Sequence, residues 1–303
     1  MGPQTQSSGR KLAELLGAEF MARLDRIDLV SRKMLQGKLQ GERRSKRRGQ
    51  SAEFADHRPY VVGDDMRFVD WNIYGRLNQL FVKLFLEELD LTVHIACDCS
   101  LSMSTGDPRK DEFGRKLAAA LGYIGLVNNN RVTVSMFADG VVRQLANMRG
   151  RNYLGQLGEM IAGTECSSAS DFDAACRHIE ASRTGRGIVI ILSDFLFKGG
   201  YDSGLRRLIG RNHDLYVIQI LSRQELAPDI SGDLKLVDIE DDDVSEVTVS
   251  SALLKYYKRN LTSYCNELKD FCARRGATYA LANAGDSVES LVLNYLRRVR
   301  LLR

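Results

Sequence analysis

The sequence predicts an α/β protein with a doubly wound, mostly parallel sheet, helices on both faces and a small N-terminal extension. Three observations predict it. A chain of 303 residues that is 44% hydrophobic has enough apolar material for a large core. Beyond about residue 90, short apolar runs alternate with stretches of helical periodicity, the pattern of a parallel sheet wrapped by helices. Two of those runs end directly in an aspartate, where ligands collect in such sheets.

From residue 10 to 39, Leu12, Leu15, Leu16, Phe20, Leu24 and Ile27, then Leu29, Val30, Met34 and Leu35, recur at helical spacing, which predicts one or two amphipathic helices. A basic, glycine-containing run at 37–51 breaks that pattern and reads as a surface connector. The expected organisation is a helical and basic segment at 1–50, an Asp/Arg/Trp-rich region at 51–90 packed on the main domain, and a main domain at 91–303. Strands are predicted at Leu91–Cys97, Val132–Phe137, Ile188–Ser193, Leu215–Leu221 and Thr278–Leu281, with an antiparallel edge at Val141–Leu145. Helices are predicted near 110–127, 151–162, 171–182, 201–211, 251–275 and 287–300.

Composition narrows the function classes. Charged residues make up 27% and there are four prolines, which excludes a disordered or collagen-like chain. The N-terminus has no apolar signal region, and the apolar runs fall short of the roughly 20 residues that cross a bilayer. No membrane attachment is expected. The cysteines form no Cys-x-x-Cys pair and are read as reduced thiols of a cytoplasmic protein.

The net charge of +4 is unevenly placed: Arg32 to Arg48 holds eight basic residues against the single acid Glu42. This segment is the alternative binding surface, for nucleic acid or an acidic partner. No aromatic side chains interleave to stack on bases, so a solvated segment is favoured and nucleic acid is not the expected partner. The acidic run Glu240–Asp243 is read as a solvated loop rather than a second cation site, since consecutive acids do not converge without a turn to fold them.

Chemistry is expected after the strands. Asp98, Ser100 and Ser102 follow the first run, and in an extended loop they turn one carboxylate and two hydroxyls toward one point; Asp194 follows the third run and adds a second carboxylate. Ser167, Ser168, Ser170 and Asp171, ahead of another helix, offer further hydroxyls and an acid. Ser170 or Asp171 alone reads as a helix N-cap. The alternation at 98–102 with a second post-strand Asp exceeds what capping requires, and an all-oxygen set with two carboxylates suits Mg²⁺ or Mn²⁺ with a position left open for a partner's carboxylate.

These residues resemble the metal-ion-dependent adhesion site of von Willebrand factor A domains. A longer signature, Glu53-Phe-Ala-Asp56-His-Arg58-Pro-Tyr60-Val-Val-Gly63-Asp64-Asp65-Met-Arg67-Phe-Val-Asp70-Trp71-Asn72 with Arg76 and Phe81-Val-Lys83, resembles the "domain of unknown function 58" family, over roughly residues 40 to 220. The resemblance implies a von Willebrand factor A-like fold and a metal held by Asp98, Ser100, Ser102, Ser170 and Asp194. Family members usually carry Thr where Ser170 stands, and Thr164 is the rival middle ligand. It further implies work beside a MoxR-type AAA+ ATPase on a client protein. Membrane-spanning helices common in the family are absent from this sequence, which implies a soluble short form. In the signature, Asp56, Arg58, Asp64, Asp65, Arg67, Asp70 and Arg76 surround Tyr60 and Trp71 in sequence, and Arg–carboxylate forks bracing the region are expected.

The expected function is therefore a divalent-metal-dependent protein-interaction module that is not an enzyme. A Mg²⁺ phosphohydrolase acting through a phosphoaspartate would carry Asp-x-Asp, and Ser100 stands in the second position. No phosphate-binding loop, nucleophile elbow or His-Glu-x-x-His is present.

Overall fold

Leu12, Leu16, Phe20 and Leu24 fall at helical intervals and all four are buried, so the N-terminal helical stripe faces a core. The structure, a computed structural model, describes residues 11–31, 53–86, 91–167, 169–182, 187–209, 213–237, 239 and 244–302. Residues 11–16 are helical, Gly17 turns the chain at φ 79°, and α1 follows at Ala18–Leu24. The chain divides into two compact units, one within Lys38–Asp90 and one formed by Met1–Gly37 with Leu91–Arg303.

In the smaller unit β1 (Glu53–Pro59) pairs antiparallel with β2 (Phe81–Leu86), and between them lies α2 (Trp71–Leu77). Asp70 caps α2, accepting from the Asn72 and Ile73 amides, and its other oxygen meets His57 Nε2 at 3.0 Å and Lys83 Nζ at 3.2 Å. One aspartate thereby ties both strands to the helix. The expected forks are present: Arg58 grips Asp64 through two bonds of 2.8 and 2.7 Å, and Arg67 grips Asp65. Trp71 stays 57% exposed, edge-on to Tyr74.

In the larger unit β3 (Thr92–Asp98) leads through a 3-10 turn at Leu101–Ser104 into α3 (Lys110–Val127). Then come β4 (Arg131–Phe137), the antiparallel edge β5 (Val141–Met148), α4 (Leu154–Ala162) and α5 (Phe172–Ser182). The chain crosses back to β6 (Gly187–Ser193), α6 (Asp202–Leu208), β7 (His213–Leu221) and the short α7 (Arg223–Leu226). A hairpin of β8 (Gly232–Val237) and β9 (Val244–Val249) precedes α8 (Ser251–Arg274) and β10 (Thr278–Asn283). Residues 288–298 close the fold in α9 (Val288–Ser290), a π turn at Leu291–Tyr295 and α10 (Leu296–Arg298).

The sheet runs β10-β7-β6-β3-β4-β5, every pair parallel except β4–β5. β6 and β7 are apolar almost throughout because both faces of the sheet are covered. One face packs α1, α3, α4 and the C-terminal turns around Ile95, Ile190 and Ile218; the other packs α5, α6 and α8 around Val189, Ile191 and Val217. This is the doubly wound layout that the strand pattern predicts.

Three features go beyond the sequence reading: the β1–β2 pair with α2 in the smaller unit, the place of the N-terminal stretch and a second hairpin. The N-terminal stretch, set apart there as residues 1–50, joins the main unit as far as it is described: Gly158 of α4 lies so near Leu12 that an added Cβ would stand 2.9 Å from its backbone nitrogen. Tyr123 donates to Asp25, and Val30 N–H donates to Leu301 O at 2.9 Å, closing the two ends of the unit on each other. An amphipathic pattern gives the buried face but not its partner, which is why the sequence placed this stretch separately. The β8–β9 hairpin was also not foreseen. The basic stretch Arg32–Arg48 and the acidic run Glu240–Asp243 lie outside the described residues. Among the described residues no helix is long and apolar enough to cross a membrane.

Candidate functional site

Strand order fixes where a site forms. After β3 the chain moves outward to β4 and β5, then returns to the other side of β3 to add β6, β7 and β10, so the switch in direction falls between β3 and β6. Crossovers there leave on opposite faces, and a crevice opens at the carboxyl ends of those two strands. Asp98 ends β3 and Asp194 directly follows β6, and each is only 1% exposed.

The loop after β3 is folded by its own side chains. Asp98 Oδ1 accepts the Ser100 amide at 2.9 Å, an Asx turn that holds the carboxylate over the loop. Its Oδ2 accepts the Ser193 hydroxyl at 2.6 Å, which bolts the end of β3 to the end of β6. Ser100 and Ser102 bring their hydroxyl oxygens to 3.0 Å of each other. Met103, fully buried, anchors the turn, and Thr105 donates back to the Ser102 carbonyl. Burial and the nearby charge of Asp194 push the Asp98 carboxyl up, against the hydrogen bonds from Ser193 and Ser100.

Asp194 is held as closely. Its Oδ1 accepts the Leu196 amide at 3.1 Å, and its carbonyl accepts from Gln219. Phe195 follows at φ 59°, a left-handed backbone that L residues avoid. Its ring sits in an aromatic cluster with Phe172 and Phe197, and its carbonyl accepts the Tyr264 hydroxyl. Packing and that bond hold a residue that the backbone alone would not favour.

Ser170 stands in the loop ahead of α5, which Ser167 N–H ties to Cys99 O at 3.0 Å, next to Asp98. The Ser170 Oγ is buried and has no hydrogen-bond partner among the described residues. Helix capping falls to its neighbour: Asp171 Oδ1 accepts the Ala174 amide. Thr164, the rival candidate, donates its hydroxyl back to the Met160 carbonyl at the end of α4. The structure thus brings Asp98, Ser100 and Ser102 together in one loop and pairs them with Asp194 across the crevice. Among the described residues no three His, Cys, Asp or Glu side chains gather as a metal-ligand set, so the oxygens here are two carboxylates and hydroxyls.

Sequence reasoning missed Lys110. Its ammonium lies 2.7 Å from Asp194 Oδ2 and 2.5 Å from Glu225 Oε1, with the side chain 1% exposed. Burial lowers its affinity for a proton, but the two carboxylates outweigh that and hold it charged. Glu225 is positioned by a capping box with Ser222 at the start of α7, its Oε2 accepting the Ser222 amide at 2.7 Å. A lysine in the first turn of a helix opposes the helix dipole only weakly, and Asp111 and Glu112 beside it mask even that signal.

A family model described as "Protein of unknown function DUF58" matches residues 56–265. The chain belongs to the DUF58 family. Among relatives, an uncharacterized protein of Mycobacterium tuberculosis is 25% identical to this DUF58 chain over 247 residues, covering 80% of this chain and 77% of the relative. An uncharacterized protein of Mycobacterium bovis matches to the same extent. Among solved structures, the conserved hypothetical protein BatB from Bacteroides thetaiotaomicron is 14% identical with a TM-score of 0.44, covering 69% of this chain and 98% of that one. A von Willebrand factor type A protein from Catenulispora acidiphila is 13% identical with a TM-score of 0.44, covering 73% of this chain and 43% of that one.

Proposed function

We propose that this DUF58 chain is a divalent-metal-dependent protein-interaction module. Asp98, Ser100, Ser102 and Ser170 would hold Mg²⁺ or Mn²⁺, with Asp194 binding directly or through water. The observation that carries the reading is the arrangement at the switch point: two buried carboxylates, the charge of Asp194 raising the proton affinity of Asp98, beside a pair of serine hydroxyls at 3.0 Å. The donor set fits. Hard cations take oxygen ligands, and two like charges in one buried crevice are relieved by a positive charge between them. The unpartnered Ser170 hydroxyl is a further donor without another task, whereas Thr164 already serves α4.

The chain's own residues do the positioning. The Ser100 amide and Ser193 hydroxyl fix Asp98, and the Leu196 amide fixes Asp194, so the donors are set before any ligand arrives. A bound cation would supply a positive centre for a carboxylate from a partner protein. A MoxR-type AAA+ ATPase, met in the cytoplasm and acting on a client protein, is the partner we expect. We assign binding rather than catalysis because Ser100 stands where a phosphoaspartate hydrolase would carry its second acid.

Calorimetric titration of metal-free protein with Mg²⁺ and Mn²⁺ tests this. Saturable binding to the wild type that is lost in the Asp98→Ala, Ser100→Ala double variant is expected; a wild type without saturable binding would overturn the metal-dependent reading.

A further inference from the structure

Asp194 has its two carboxylate oxygens engaged. Oδ1 accepts the Leu196 amide at 3.1 Å, and Oδ2 receives the Lys110 ammonium at 2.7 Å. A metal seeking Asp194 therefore meets a cation already there, carried on the chain's own helix α3. That ammonium has a second carboxylate within reach, Glu225 at 2.5 Å, which is 22% exposed while Asp194 is 1% exposed. Charge removed from Asp194 would not strand Lys110, because Glu225 lies nearer to water and already shares it. Taking away one partner of a buried pair is normally strongly unfavourable, and a second carboxylate in place removes that obstacle.

Resting on the metal-site reading above, we propose that Lys110 is a tethered cation that competes with the free divalent ion for Asp194, with Glu225 as the acceptor to which Lys110 retires when the metal binds. The exchange couples the crevice to α7. Glu225 is fixed to Ser222 by the capping box, and its carbonyl accepts the Tyr257 hydroxyl of α8 at 3.0 Å. Metal entry would transfer the ammonium's attraction from β6 to α7, so the hold on Glu225 tightens as the hold on Asp194 is released.

The two partners of the exchange give opposite signs, which a purely structural ion pair does not. Mn²⁺ is titrated calorimetrically into wild type, Lys110→Met and Glu225→Gln, each checked for folding by circular dichroism. Lys110→Met, which removes the competitor, is expected to bind Mn²⁺ at least tenfold more tightly than wild type. Glu225→Gln, which leaves Lys110 only Asp194, is expected to bind severalfold more weakly. Saturable wild-type binding with Lys110→Met equal or weaker would overturn the tethered-cation proposal and leave the metal site standing. Absence of saturable binding in both proteins would overturn the two together. If Lys110→Met does not fold, Glu225→Gln decides alone, and an unchanged or higher affinity there overturns the proposal.

Discussion

Lys110 Nζ and Asp194 Oδ2 meet at 2.7 Å with both side chains 1% exposed, so the crevice at the centre of the sheet contains a buried ion pair. Removing Lys110 leaves Asp194 unpaired in a low-dielectric place, whereas removing Asp194 leaves Lys110 held by Glu225 and removing both leaves only a packing problem. Lys110→Met is expected to lower stability by about 3 kcal/mol or somewhat more, and Asp194→Asn by clearly less. The combined variant should recover most of that loss. Urea denaturation of the four proteins checks this; a double variant as unstable as the sum of the singles would mean that the pair stabilises the fold outright.

Asp98 is the carboxylate raised by burial and by Asp194, so its charged form is disfavoured in the folded chain. For a group raised on folding, stability is fully present below the unfolded value and is lost as pH rises through the folded one. Asp98→Asn removes that loss. Its amide oxygen can still accept from Ser100 and its amide nitrogen can donate to Ser193, whose hydroxyl also accepts the Phe195 amide. Metal-free Asp98→Asn is expected to melt at least a few degrees higher than wild type at pH 8, with a smaller gap at pH 5, and to gain nothing from added Mg²⁺. Differential scanning calorimetry at the two pH values reads both effects.

The strands of the six-stranded sheet were legible because all but one edge are built from compact apolar runs, and the strand-end places of Asp98 and Asp194 were legible because doubly wound sheets gather polar groups there. Lys110 was not, since a lysine in Arg109-Lys110-Asp111-Glu112 reads as a solvated helix start and its partners lie 84 and 115 residues further along the chain. Ser193 was read as part of a strand; only the register of β3 beside β6 reveals that its hydroxyl reaches Asp98. Strand β8 escaped notice for a different reason. Asp233 and Lys235 alternate with Leu234 in an exposed hairpin, a pattern with too few apolar positions to stand out from a loop.

In the smaller unit Asp70 is held down to about 2 from its ordinary value of 3.8, first by the hydrogen bond with His57, against burial, and then by the Ile73 amide, Lys83 and the Asn72 amide. A depressed carboxyl contributes stability that is present above its unfolded value and lost as pH falls through its folded one. The linkage of β1, β2 and α2 should therefore weaken between about pH 4 and pH 2 and be unaffected by Asp70 titration at neutral pH. Amide exchange at Asn72 and Ile73 across that window is the measurement. Asp70→Ala should show faster exchange at all pH values, because both amides lose the acceptor that caps them.

Phe20 tests whether the N-terminal stretch is an integral part of the main unit. It is among the largest fully buried side chains, in the same cluster as Leu157 and Ile161 of α4. Truncating a buried phenylalanine leaves a cavity worth about 3–5 kcal/mol. Phe20→Ala should therefore destabilise the whole main unit in one cooperative transition. Gly158→Val acts from the opposite wall, since a side chain there meets the Leu12 backbone and cannot be accommodated by a rotamer change in Leu12. It should make residues 11–24 the first site of limited proteolysis while leaving β3 and β6 protected. If cleavage there leaves the melting temperature of the wild-type protein unchanged, the N-terminal helices are an appendage and the core is complete without them.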